Sequence, residues 1–118
     1  MDKPGGMEGF EEKLAALTRA FNERLELRHR ELAAAAAELQ AAADEDAKAA
    51  ALEQVRKLAH GISGSAATFG HPALTRLAQA LEATCLTAID KGAGRGAMRT
   101  VLGRLAKLIA AVAAARPD

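Results

Sequence analysis

The sequence predicts an all-α domain: an up-down antiparallel four-helix bundle with an N-terminal helical extension. Three observations predict it. Half the residues are hydrophobic, yet only 3% are aromatic, with no Trp or Tyr; the apolar material is mainly Ala and Leu, which favour helix over strand. Apolar residues recur at spacings of three and four through long segments. Gly, Pro and acidic clusters punctuate those segments and leave short connections, the condition for antiparallel neighbours. A chain of 118 residues supports one compact domain of this kind.

Residues 1–9 contain Pro4, Gly5, Gly6 and Gly9 and read as a flexible leader, with the bundle domain spanning 10–118. Phe10, Leu14, Leu17, Phe21 and Leu25 open a helical stripe that continues through Leu32 and Leu39 to about Ala43. No Gly or Pro interrupts it, so one long helix and a pair broken near Asn22 or His29 are both open. Asp44, Glu45 and Asp46 then gather negative charge where a helix start favours it. The helix beginning there carries Leu52, Val55, Ala59, Ile62, Ala66 and Phe69 on one stripe and stops at Gly70. Pro72 suits the first turn of the next helix, where its missing N–H is no loss. Leu74, Leu77, Leu81, Cys85 and Ala88 form its apolar face. KGAGRG, residues 91–96, reads as a stop and a loop. Met98, Val101, Leu102, Leu105, Leu108, Ile109 and Val112 line the last helix.

Several function classes fall away on composition. Sixteen basic against 15 acidic residues give no massed positive surface, so no nucleic-acid partner is expected. Cys85 is the one cysteine, which rules out an internal disulfide and a paired-cysteine zinc site. The three histidines lack the spacing of two ligands on one helical turn, so no metal is expected. No run of about 18 apolar residues offers a membrane span, and the N-terminus has no apolar stretch of signal-peptide form. The expectation is a soluble cytoplasmic protein with no membrane contact. GAGRG follows no predicted strand and lacks the Gly-Lys-Ser/Thr ending of a phosphate-cradling loop.

The helix of residues 44–69 carries the chemistry. Its inward positions alternate by three and four, and each residue turns about 100°. By that arithmetic His60 stands about 160° from Ile62, facing solvent. Gly64 lies about 40° from it one turn on, and Arg56 and Lys57 lie one turn back. Gly61 and Gly64 occupy a helix interior where each costs about 1 kcal/mol relative to Ala. Bare backbone beside His60 is explained if something must approach it closely; close helix packing at Gly64 is the alternative.

The stretch AHGISGSAATFG, residues 59–70, resembles the phosphoacceptor motif of histidine-containing phosphotransfer (HPt) domains. His60 matches the phosphorylated histidine, Ile62 the aliphatic position and Gly64 the glycine that admits a partner. Ser65 matches the small polar residue after it, and Phe69-Gly70 the ending. LTRLAQALE, residues 74–82, and FNERLELRHREL, residues 21–32, are similar to the flanking helices, so the resemblance covers most of the chain. It departs at Ser63, where the family often has Lys. Arg56 and Lys57 are the candidates to supply that charge, and Ser63 can still hydrogen-bond a phosphate oxygen.

The resemblance implies a phosphocarrier that exchanges a phosphoryl group between His60 and the aspartate of response-regulator receiver domains, fed by a sensor or hybrid histidine kinase. It implies no cofactor on this chain, magnesium belonging to the receiver, and no small-molecule substrate or kinase activity of its own. The contact set is then Arg56, Lys57, Gly61, Ser63, Gly64, Ser65 and Ala67 around His60. A histidine suits the task because its imidazole is largely uncharged at cellular pH and keeps a nitrogen lone pair. Two rivals stand beside this reading: a degenerate module that docks on receivers without carrying phosphate, and a bundle binding haem or metal in its core. The apolar inward stripes oppose the second. His29 reads as a surface residue, His71 as a turn or cap residue, and Cys85 as a small buried hydrophobe.

Overall fold

A computed structural model describes residues 5–116 and contains four helices, α1 (Gly5–Ala41), α2 (Glu45–Thr68), α3 (Pro72–Lys91) and α4 (Arg95–Ala115). Three-residue connections join them, so successive helices run antiparallel. Each packs on the next, and α4 closes back on α1. The expected up-down four-helix bundle is what forms. No helix among the described residues is long and apolar enough to cross a membrane.

Local chemistry sets the boundaries. Asp44 caps α2, its Oδ1 accepting from the Ala47 N–H at 2.8 Å, with Glu45 and Asp46 in the positive first turn. At the other end Gly70 takes φ +71°, a left-handed conformation that favours glycine. There the His71 N–H donates to the Ala66 carbonyl at 2.9 Å and the Gly70 N–H to that of Ala67 at 3.4 Å, satisfying carbonyls the helix leaves open. Pro72 opens α3 as expected. Phe69, half-buried, and His71 both stack on Phe21 of α1, with centroids 4.6 and 5.2 Å away. The α2–α3 corner is thereby fastened to α1.

Two boundaries differ from the sequence expectation. α1 is one unbroken helix of 37 residues, and it already includes Gly5–Gly9 of the expected leader; residues 1–4 of that leader lie outside the described residues, as do 117–118. Extending an existing helix adds a hydrogen bond for each residue fixed, so glycines weaken it without stopping it. α4 starts at Arg95, inside the expected loop, because Gly92 at φ +96° completes the turn early.

The core is drawn from the predicted stripes. Leu32, Leu39, Leu52, Val55, Leu81, Cys85, Val101, Leu105, Leu108 and Val112 are all fully buried, while Leu77, Met98, Leu102 and Ile109 sit at its margin. Every residue from 11 to 20 is exposed, so the N-terminal third of α1 projects past the bundle, giving a molecule 67 Å long and 24 Å by 20 Å across.

Candidate functional site

Val55, Ala59, Ile62 and Ala66 turn one face of α2 into the core, which leaves His60 on the outside. Its side chain is 71% exposed, so a protein partner can reach the ring. Glu82 of α3 stands beside it, with Oε2 2.9 Å from His60 Nδ1. A carboxylate only accepts, so the hydrogen at that contact belongs to Nδ1. In the uncharged ring the lone pair is then on Nε2, which diverges from Glu82 toward solvent. The contact favours the Nδ1–H tautomer and sets the direction in which Nε2 points.

Arg56 braces the carboxylate. Its Nη1 lies 3.6 Å from Glu82 Oε2, while Nε and Nη2 donate to the two oxygens of Glu53 at 2.8 and 2.6 Å. That bidentate hydrogen bond lowers the Glu53 carboxyl and raises the Arg56 guanidinium from their ordinary values. Arg56 is thus an anchored cation shared by two carboxylates. Lys57, one turn back on the other side of His60, is exposed and has no carboxylate partner among the described residues.

The strip running on from His60 is bare. A side chain at Gly64 would meet nothing within 4 Å, and Ala67, one turn further, is exposed. Gly64 is therefore not a helix-packing glycine. The Ser63 hydroxyl donates to the His60 carbonyl at 3.0 Å, beside the imidazole's own backbone. On α3, Leu86 and Ile89 are 48% and 39% exposed; lying four and seven residues after Glu82, they extend the same face with apolar surface.

Two of the expected contact residues lie elsewhere. Gly61 faces α1, where the Arg28 guanidinium fills the space: a Cβ at Gly61 would stand 3.0 Å from Arg28 Nη2. Its missing side chain accommodates a neighbouring helix, one residue and about 100° round from His60. Ser65, five residues on and about 140° round, lines a small cavity against α1 with Phe21, Leu25 and Arg28. His60, Gly64, Ala67, Arg56, Lys57 and Ser63 do share the outer face. The sequence reading missed Glu82 and Arg28. Glu82 was within reach as the acidic residue next to core Leu81 in the segment resembling the family's following helix, whereas Arg28 gave no signal of its own.

A helical bundle that holds one imidazole fully outward on its surface, paired at Nδ1 with a carboxylate and with open backbone alongside, has the form of a carrier that offers its histidine to another protein. Compared with known protein families, residues 7–115 match the Hpt domain, nearly the whole chain. The chain belongs to the Hpt domain family, whose members are histidine phosphocarriers of two-component phosphorelays. No curated protein and no solved structure matched it in sequence or structure comparison.

Proposed function

We propose that His60 is the phosphoacceptor of this chain and exchanges its phosphoryl group with the aspartate of a receiver domain. The observation that carries the reading is the pairing of an outward imidazole with Glu82 at Nδ1. The Nε2 lone pair attacks the phosphorus of the receiver's aspartyl phosphate, an N–P bond forms, and the P–O bond to the aspartate breaks. The aspartate leaves as carboxylate. The ring keeps its Nδ1 hydrogen and becomes cationic, and Glu82 faces that new positive charge. No proton need move, so the step reverses readily, as a relay requires. Such transfers depend on positioning and charge neutralisation; the receiver brings its own acidic pocket and magnesium ion.

Gly64 and Ala67 let the partner approach α2, and Leu86 and Ile89 give it apolar contact on α3. Lys57 is the cation free to meet the phosphoryl oxygens, while Arg56 acts through Glu82. The chain has no ATP-binding element in this reading and receives its phosphate from a kinase or a receiver, in the cytoplasm. Incubation with phosphorylated receivers tests it. Acid-labile, base-stable label on His60, absent in His60→Gln, is expected. Receiver binding without label would instead favour a docking module that carries no phosphate.

A further inference from the structure

Glu53 stands seven residues before His60 on α2, about two turns and about 10 Å along the axis, on nearly the same side of the helix. It makes no hydrogen bond to the ring among the described residues, and it reaches the phosphoacceptor through two other side chains. Glu53 accepts from Arg56 Nε at 2.8 Å and from Nη2 at 2.6 Å, which occupies one edge of the planar guanidinium. Nη1 alone turns to Glu82, and at 3.6 Å it is outside hydrogen-bond range. Glu82 Oε2 meanwhile lies 2.9 Å from His60 Nδ1. One guanidinium thus stands between two carboxylates, hydrogen-bonded to the first and only near the second.

We propose that Glu53 is a positioning residue for phosphotransfer: by holding Arg56 off Glu82, it keeps the Glu82 carboxylate free for His60. Its bearing on transfer rests on His60 as the phosphoacceptor. Without Glu53 the competition for Glu82 is unequal. A freed guanidinium would close on that carboxylate with two parallel bonds between opposite charges, whereas the uncharged imidazole offers one N–H. Arg56 would then draw Oε2 from the ring and cancel the charge that faces it after phosphorylation. No other neighbour restrains Arg56 in the same way. Lys57, the second cation acting on Glu53, carries the wrong sign. Burial pushes the Cys85 thiol, which feels the same three charges, up to about 11, so it offers Arg56 no rival anion.

Long-range ¹H–¹⁵N NMR of the unphosphorylated full chain, at a pH where the ring is uncharged, reads the ratio of Nδ1–H to Nε2–H forms of His60. In Glu53→Gln that ratio should fall about threefold, within what one hydrogen bond contributes, and in Arg56→Gln it should rise. Opposite shifts from the two ends of one ion pair are not what simple loss of the pair would give. Transfer from a phosphorylated receiver should slow by about the same threefold factor in Glu53→Gln. In the Arg56→Gln background, adding Glu53→Gln should change neither reading. A ratio unmoved in Glu53→Gln overturns the proposal, as do shifts of the same sign in the two single variants. So does an undiminished effect of Glu53→Gln in the Arg56→Gln background, or transfer as fast as in the parent chain. The expected ratio shifts on a chain that takes no label at His60 would support the hold on Arg56 and tell against the phosphoacceptor reading.

Discussion

At His60 the important choice is between two nitrogens, and Glu82 makes it. Nδ1 is 2.9 Å from the carboxylate, so in the proposed transfer Nε2 is the atom left to attack. Replacing Glu82 with Gln keeps the shape and removes the charge that faces the phosphorylated ring. Loss of a charge-assisted hydrogen bond of roughly 1.5 kcal/mol should slow phosphotransfer about tenfold while leaving receiver binding nearly unchanged; rapid-quench transfer rates against binding constants separate the two. Gly64 is predicted to show the opposite division. Ala there should stabilise the fold by about 1 kcal/mol since nothing stands in its way, yet Gly64→Leu should weaken receiver binding. Denaturant melts and titrations on the same variants check both halves. Ala at Gly61 should gain less stability, because Arg28 must move aside. The outward face of His60 could be read from helical periodicity, since rotation within one helix is fixed at about 100° per residue. Glu82, 22 residues away on the next helix, could not, because periodicity does not say which residues of two helices stand level. The same blindness hid Arg28 and made Gly61 look like part of the site.

At the scale of the element, α2 is held at both ends by features that sequence shows plainly. Asp44→Ala removes the side-chain acceptor for the Ala47 N–H and should cost about 1 kcal/mol, measurable as a shift in the urea midpoint with an unchanged slope. The expected starts at Asp44 and Pro72 coincide with the structure because caps and proline act through local backbone chemistry. The start of α1 was harder to read, since Gly5, Gly6 and Gly9 signal a leader while helix extension depends on the turn already formed. The unbroken passage through Asn22 and His29 likewise needed the packing of Phe21, Leu25 and Leu32 to decide between one helix and two. Ser65 shows the reverse: its match to a motif position placed it by order along the chain, whereas the helix turns it toward α1.

Across the whole molecule, the bundle's task is to keep α2 rigid while one face stays open. Its core is predominantly aliphatic, and among the described residues the one buried titratable side chain in it is Cys85. Burial pushes the Cys85 thiol up from 9.0 to about 11. The unfolded chain's thiol ionises near its ordinary value, about 8.5, so above that pH the unfolded state loses a proton that the folded state keeps. Stability should therefore be flat in this respect below about pH 8.5 and fall as pH rises toward 11. Cys85→Ala should remove that part of the slope, seen in urea melts across the range. The central claim is that this rigid scaffold offers Nε2 of His60, and no other atom, to phosphate. Long-range ¹H–¹⁵N and ³¹P NMR of the chain phosphorylated by a receiver tests it most directly. The account predicts one phosphoryl group, on His60 Nε2, with the hydrogen retained on Nδ1. Phosphate on Nδ1, on His29 or His71, or nowhere on the chain would contradict it.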